Sequence, residues 1–265
     1  MQLKPEVDTI VRLPRANMAR IVRKSTVRAV RPLPARFGSL RILLISDFHF
    51  RDTDLENGAL PKLITKANEL QADLIALCGD YVAGHWPSET PLESFIELLG
   101  GLTAPLGVWA VLGNHDNTSA FRLERAFRNY TAIHLLRDSN VRLPFHDSFV
   151  QIAGTRDTSS EYYNLETTLF GIDPATPTIL LTHSPLIFPK VPDFVTLTLA
   201  GHTHAGQLRL CGKKLSLVPS HWKIRYNYGI FREGNKLLAV TAGLGCSRIP
   251  FRLNTPPELW LITLC

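Results

Sequence analysis

Short apolar runs alternate with polar clusters along this chain, at a spacing that predicts strands joined by helices. Arg41–Ile45 (RILLI) is an apolar run closed by Ser46-Asp47-Phe48-His49, a pattern that reads as a buried strand delivering polar residues at its carboxyl end. Leu60, Leu63, Ile64, Ala67 and Leu70 then recur at helical spacing, and Asp73–Leu77 (DLIAL) runs into Cys78-Gly79-Asp80. The unit repeats with Phe95, Leu98, Leu99 and Leu102 on one helical face, followed by Gly107–Leu112 (GVWAVL) and Gly113-Asn114-His115-Asp116. Successive apolar strands thus end in polar residues on one side, where open α/β sheets place their chemistry.

The second half is richer in strand-like segments. Val150–Ala153, Thr178–Leu181, Val195–Ala200 and Leu237–Thr241 are strand candidates, with a helix over Phe121–Tyr130. Thr182-His183 follows one of these strands and Gly201-His202-Thr203-His204 another. Neither an internal repeat nor a low-complexity linker divides the chain, so a single domain over residues 1–265 is expected. Two facing sheets with helices outside would bring both halves to one crevice.

Hydrophobic residues make up 45% and charged residues 20% of the 265, which places the chain among globular proteins and excludes disorder. The formal charge of +6 is unevenly distributed. Residues 1–41 hold ten Lys and Arg against Glu6 and Asp8, a local +8, and the remaining residues sum to −2. This basic N-terminal segment could be drawn to anionic lipid through long-range attraction. Nucleic acid is disfavoured as a partner, because no aromatic residue interleaves with the basic run before Phe37 and stacking on bases lacks a platform.

No run approaches eighteen consecutive apolar residues and no signal-type apolar segment opens the chain, so a cytoplasmic protein is expected, with peripheral contact to the inner face of the cytoplasmic membrane as a variant. Cys78, Cys211, Cys246 and Cys265 are widely spaced and fit reduced thiols in that compartment.

The polar clusters share one chemistry. Alternate side chains of an extended segment face the same way, so Asp47 and His49 could reach one ion together, as could His202 and His204. Each pair alone is weak, since turns and caps use the same residues. Five clusters behind apolar strands, with Asp80, Asn114-His115-Asp116 and His183 completing the set, point to a two-metal hydrolytic centre, where carboxylate, amide and imidazole divide two divalent ions. Arg156, Asp157, Tyr162 and Tyr163 in a polar stretch, and His85 beside Trp86, are weaker candidates for a rim; His134, His146 and His221 read as surface histidines.

In these clusters the chain resembles the calcineurin-like metallophosphoesterase family, whose pattern is DxH, GD, GNHD or GNHE, a later His, and GHxH. Here they stand as Asp47-Phe48-His49, Gly79-Asp80, Gly113-Asn114-His115-Asp116, His183 and Gly201-His202-Thr203-His204. THSPLIFP (182–189), AGHTHAGQ (200–207) and AGLGCSRIPFRLNTPPELWLITL (242–264) resemble the branch of YkuE-type and YaeI-type phosphodiesterases, with Ala205 where that branch typically has Gly.

The resemblance implies an α/β fold, a four-layer sandwich of two facing mixed β-sheets flanked by helices. It implies that Asp47, His49 and His204 hold one ion, that Asn114, His183 and His202 hold the other, and that Asp80 bridges them. His115 would stabilise charge on the phosphoryl group and protonate the leaving oxygen, with Asp116 orienting it, while a hydroxide shared by the ions attacks phosphorus. Mn is the favoured metal, with Fe or Zn as alternatives. The branch points to a phosphodiester or pyrophosphate of a lipid-linked nucleotide, such as UDP-2,3-diacylglucosamine. A soluble phosphodiesterase acting on nucleotides or cyclic nucleotides is the enzymatic alternative. A non-catalytic scaffold would predict missing ligands, and a nuclease would predict a basic groove beside the site.

Overall fold

A computed structural model describes residues 2–3, 7–12, 21–51, 58–83, 90–158, 163–208, 225–247 and 252–265. Strands β1 (Gln2–Leu3), β2 (Val7–Arg12), β3 (Ile21–Val27), β4 (Leu40–Ile45), β5 (Leu74–Cys78), β6 (Val108–Val111) and β7 (His134–Leu135) span the first half. β8 (Ser139–Phe145), β9 (Ser148–Gly154), β10 (Thr178–Leu181), β11 (Leu197–Ala200), β12 (Gly229–Glu233), β13 (Lys236–Val240) and β14 (Glu258–Leu264) follow. The α-helices are α1 (Ala59–Glu69), α2 (Thr90–Leu99), α3 (Ala120–Tyr130) and α4 (Leu165–Leu169).

Among the described residues the strands form two seven-stranded sheets, ordered β2-β3-β14-β4-β5-β6-β7 and β1-β12-β13-β11-β10-β9-β8. β4, β5, β6 and β7 run parallel, as do β9, β10, β11 and β13, while β14 is antiparallel to β4, and β8 and β12 are antiparallel to their neighbours β9 and β13. Both sheets are therefore mixed.

Period-two alternation decides which side chain enters which layer. Ile42, Leu44, Ala76, Cys78, Val111, Trp260 and Ile262 meet Ile152, Ile179, Leu181, Leu197, Leu199 and Ala239 in a core between the sheets. The intervening residues Leu43, Ile45, Ile75, Leu77, Ala110, Leu259 and Leu261 face the other way, against Leu60, Leu63, Phe95, Leu99, Leu123 and Phe127 of the helices. On the outer face of the second sheet Leu180, Leu238 and Val240 pack with Ile187 and Phe188 of a short 3₁₀ turn. Helix, sheet, sheet and helix make the four layers expected. Full burial of a side chain such as Phe127 stabilises this arrangement by roughly 2–3 kcal/mol.

The basic N-terminal segment supplies strands as well as charge. β3 pairs in parallel with β14 from Ile21↔Glu258 to Val27↔Leu264. Arg23 is buried, with its guanidinium 4.0 Å from the Trp260 ring and 4.9 Å from the Tyr228 ring. The guanidinium lies over both ring faces as a cation–π contact, which a solvated basic face would not make. Arg28, Arg31 and Arg36 are exposed. They follow the Val27 end of β3, level with the start of β4.

The parallel strands set the position of the site. β4, β5, β6, β10 and β11 all end at one pole, and the polar clusters occupy the loops there. Among the described residues no helix is long and apolar enough to cross a membrane.

Candidate dinuclear metal centre

Five loops converge at this pole, and the backbones of three of them, after β4, β5 and β11, are held in an unusual state. Asp47, His49, Asp80, His202, His204, Ala205 and Gln207 all have positive φ, between 45° and 71°. Such conformations cost a non-glycine residue about 1–2 kcal/mol each and persist where surrounding structure enforces them. The enforcing contacts are visible: Asp47 N–H donates to Gly79 O (2.9 Å), His49 N–H to Asp80 O (3.0 Å), Leu244 N–H to Ser46 O (3.0 Å) and Gly245 N–H to Asp47 O (2.6 Å). Gly113 and Gly201 permit the close approach, since a Cβ at Gly113 would stand 2.2 Å from Asp80 Oδ1 and one at Gly201 2.0 Å from Ser46 Oγ.

The side chains meet around Asp80. Its Oδ2 lies 3.4 Å from His49 Nε2 and 3.2 Å from His183 Nε2, and its Oδ1 accepts the His115 backbone N–H at 2.9 Å. On one side His204 Nε2 is 3.0 Å from His49 Nε2 and 3.5 Å from Asp47 Oδ1. On the other, Asn114 Oδ1 lies 3.1 Å from His183 Nε2 and 2.9 Å from His202 Nδ1. Asp80 thus stands between an Asp47/His49/His204 group and an Asn114/His183/His202 group. The ligand atoms of Asp47, His49 and His204, of Asp47, Asp80 and His183, and of His49, Asp80 and His115 form three mutually close sets.

This donor set fits divalent cations. Imidazole nitrogens, carboxylate oxygens and an amide oxygen suit Mn, Fe or Zn, and no thiolate faces them among the described residues. Electrostatics point the same way. Burial, offset in part by His183 and reinforced by Asp80, pushes Asp47 up to about 7. Burial and the charge of Asp80 push Asp116 up to about 8. Burial pulls His49 down to about 3 against the attraction of Asp80. Burial also opposes charge on Asp80 and His183, but their mutual attraction wins, holding Asp80 well below the usual carboxylate range and raising His183 to about 10. Buried carboxylates that resist ionising together are relieved by cations of higher charge.

The candidate residues occupy distinct places. Asp47, His49, Asp80, His183 and His204 are buried, whereas Asn114, His115 and His202 are partly exposed and form the mouth. The His115 ring meets the His49 ring edge-on at 4.7 Å. The Asp116 carboxylate accepts the backbone N–H groups of Asp80, Tyr81 and Gly113, each at 2.8 Å, and that of Val82 at 3.3 Å. Arg156 is drawn to Asp138 (3.4 Å), and Asp157 accepts from Asn117 Nδ2 (3.3 Å), which ties the loop after β9 to the His115 loop. His134 stacks on Trp109 away from the centre. His85, Trp86, Tyr162, His221 and Cys211 lie outside the described residues; Cys78, Cys246 and Cys265 are free thiols.

Two neighbours of the centre escaped a reading by metal-capable residue type. Gln207 Oε1 accepts Ser247 N–H (2.9 Å) and its carbonyl accepts Leu253 N–H (3.0 Å), fastening the C-terminal segment beneath the His204 loop. Arg252 Nη2 sits 3.0 Å from His204 Nδ1. Both belong to the conspicuous AGHTHAGQ and AGLGCSRIPFR stretches, the signal that could have marked them.

Comparison with known proteins agrees with this geometry. A family described as calcineurin-like phosphoesterase matches residues 40–206. The chain is similar to the uncharacterized metallophosphoesterase YkuE of Bacillus subtilis, 31% identical over 239 residues that cover 88% of this chain and 81% of that protein. It is also 31% identical over 254 residues to a Bos taurus transmembrane protein with metallophosphoesterase domain, covering 89% of this chain and 55% of that one. Among solved structures, Haemophilus influenzae NAD nucleotidase superposes with a TM-score of 0.52 at 16% identity, covering 78% of this chain and 52% of that one. A 5'-nucleotidase precursor from Thermus thermophilus does so with a TM-score of 0.50 at 12% identity, over 77% and 49% of the two chains. At such identities the likeness is one of fold.

Proposed function

This chain belongs to the calcineurin-like phosphoesterase family and is a metal-dependent phosphoester hydrolase, and from that premise we propose that it cleaves a phosphodiester or pyrophosphate bond in a soluble nucleotide. The observation that carries the choice of substrate is the placement of charge. The exposed Arg28, Arg31 and Arg36 lie beyond the Val27 end of β3, separated from the metal pole by the length of β4, about 20 Å for six residues. A surface held by these three arginines would have the crevice turned away from it. The similarity of fold to proteins named NAD nucleotidase and 5'-nucleotidase is in keeping with a nucleotide.

In the reaction so read, Asp47, His49 and His204 would hold one ion and Asn114, His183 and His202 the other, with Asp80 placed to serve both. Divalent ions at these positions supply Lewis-acid polarisation of phosphoryl oxygens and a water of lowered pKa. His183 Nδ1 faces the Cys78 carbonyl at 2.8 Å, which keeps the proton there and presents Nε2 as the donor. Asn114 contributes a neutral oxygen that leaves positive charge for the substrate. His115, at the mouth, is fixed by its backbone bond to Asp80 and by the His49 ring, and donates a proton to the departing oxygen.

A second reading keeps the lipid-linked nucleotide, such as UDP-2,3-diacylglucosamine, with the enzyme peripheral on the cytoplasmic membrane. It is favoured by the local charge of +8 over residues 1–41, which could draw the chain to anionic lipid. The bovine relative's name also places its metallophosphoesterase domain in a transmembrane protein.

The Mn-loaded protein, given a cyclic nucleotide, a dinucleotide, a UDP-linked diacyl sugar in mixed micelles and a chromogenic diester, separates the readings by product mass. Turnover of the water-soluble nucleotides without a gain from anionic vesicles is expected. Cleavage of the diacyl sugar alone would replace the first reading with the second.

A further inference from the structure

Arg156 stands between two residues tied to different loops of the centre. Before it, Thr155 donates its N–H to Leu181 O at 3.1 Å and its hydroxyl to Thr182 Oγ1 at 3.2 Å, one residue from His183. After it, Asp157 accepts Asn117 Nδ2 at 3.3 Å, two residues from His115. Consecutive Cα atoms are about 3.8 Å apart, so the Arg156 backbone is fixed at the rim between the His183 and His115 loops. Its own N–H donates to Asp138 Oδ1 at 3.0 Å.

The side chain is held less fully than the backbone. Nε lies 3.4 Å from Asp138 Oδ2, longer than the ~2.8 Å of a charge-assisted hydrogen bond, and this buried nitrogen makes no hydrogen bond. The side chain as a whole is 40% exposed, against 8% for that of Asp138. A guanidinium carries five N–H donors in a planar fork and no acceptor, so one loose contact at one edge leaves it able to take a further anion, and the fork matches the oxygens of a phosphate. Arg252, also beside the centre, is spent on the fold instead: its Nε donates to Gly245 O at 2.8 Å and its Nη1 to Thr255 O at 3.3 Å.

Position decides which anion. Asp157 ties this rim to the loop of His115, the residue that serves the departing oxygen in the proposed reaction. A departing alcohol is neutral once protonated, whereas a departing phosphate keeps negative charge that one proton does not cancel. We propose that Arg156 receives the second phosphoryl group of a pyrophosphate-bridged nucleotide and so directs the enzyme to pyrophosphate bonds over single phosphodiesters. In that hydrolysis the oxygen of water bonds to one phosphorus, the bond from that phosphorus to the bridging oxygen breaks, and the bridging oxygen leaves on the second phosphate. Two monophosphates result, and one proton of the water ends on each. The inference rests on the reading of the centre as a nucleotide phosphoester hydrolase.

The test compares kcat/KM of the Mn-loaded full chain on a dinucleoside diphosphate and on a chromogenic diester with a single phosphoryl group. Arg156→Gln should lower the ratio of the first to the second by about tenfold to a hundredfold, the size of one hydrogen bond to a charged group. Arg156→Lys, which keeps the charge without the fork, should restore part of the ratio. Equilibrium binding of a dinucleotide whose two phosphates are joined by a methylene group, and which has no bridging oxygen to leave, should weaken by a similar factor in Arg156→Gln. An unchanged ratio and unchanged analogue binding, an equal loss on both substrates, or a wild type that cleaves the diester and not the diphosphate would overturn the inference while leaving the phosphoester hydrolase in place. A wild type that cleaves neither would overturn the reading beneath it.

Discussion

The Asp116 carboxylate holds Asp80 by its main chain: Asp80 N–H donates to Asp116 Oδ2 at 2.8 Å, and Gly113 N–H donates to the same oxygen at 2.8 Å. One buried side chain thereby pins the β5 and β6 loops together, and Tyr81 and Val82 add bonds to its other oxygen. Asp116→Ala would leave four buried N–H groups without this acceptor, at about 1–3 kcal/mol for each that finds no substitute. Melting temperature, ion content and turnover should all fall in that variant. Asp116→Ala with unchanged melting temperature and lost turnover would instead make it a group acting on His115.

Asp80 and His115 should separate metal loss from chemical loss. Asp80→Ala removes the carboxylate shared by both donor groups, so ion content and turnover should drop together, the latter by about a thousandfold, in line with removal of a transition-state charge stabiliser. His115→Ala touches the centre through its ring edge and should leave most of the ion content in place while slowing turnover by about 10²–10⁴. Metal analysis of the purified variants beside steady-state rates distinguishes the two. A His115→Ala protein stripped of both ions would make that ring a ligand, as its proximity to His49 and Asp80 allows.

The parallel strands and the donor clusters were legible because apolar runs of four to six residues each end in a metal-capable side chain: Leu40–Ile45 before Asp47, Leu74–Cys78 before Asp80, Thr178–Leu181 before His183. Helices α1 and α3 showed because Leu63, Ile64 and Ala67, or Leu123, Ala126 and Phe127, recur on one face. β3 was hidden by Arg23 and Lys24, which read as a charged surface until the Arg23 guanidinium is seen to lie over the Trp260 and Tyr228 rings. β8 and β12 were hidden for a related reason, since their polar residues face outward at or near a sheet edge. The supporting groups Asp116, Gln207 and Arg252 act through backbone atoms or through another side chain, and residue type alone does not announce that.

Ala205 carries a backbone preference that a single substitution can expose. It is buried with φ 53° and ψ 23°, a left-handed conformation that costs an alanine about 1–2 kcal/mol. Ala205→Gly removes that strain and loosens the unfolded chain by about 0.4–1 kcal/mol. A net gain of about 0.5–1 kcal/mol is expected in urea unfolding, without change in ion content. A loss of stability would mean that the methyl group packs more favourably than its backbone is strained.

The stability of the chelator-treated protein should fall as pH rises from 6.5 to about 8. Asp47, near 7, and Asp116, near 8, lie above their ordinary 3.8, and His183, near 10, lies above its ordinary 6.5. Each therefore binds its proton more tightly in the folded chain than in the unfolded one, and through this window the folded state holds the excess protons, which lowers unfolding free energy as pH increases. The His183 contribution is fully present below 6.5 and is lost only as pH passes through about 10. His49, lowered from 6.5 to about 3, contributes with the opposite sign, but its window lies below 6.5 and does not offset the trend. Added Mn²⁺ should reverse the slope, because the deprotonated donors it captures are the ones the bare fold keeps protonated. Melting curves followed by circular dichroism, in EDTA and in Mn²⁺ at the two ends of the window, read both signs; a melting temperature that rises with pH in EDTA would show that the buried carboxylates ionise without cost.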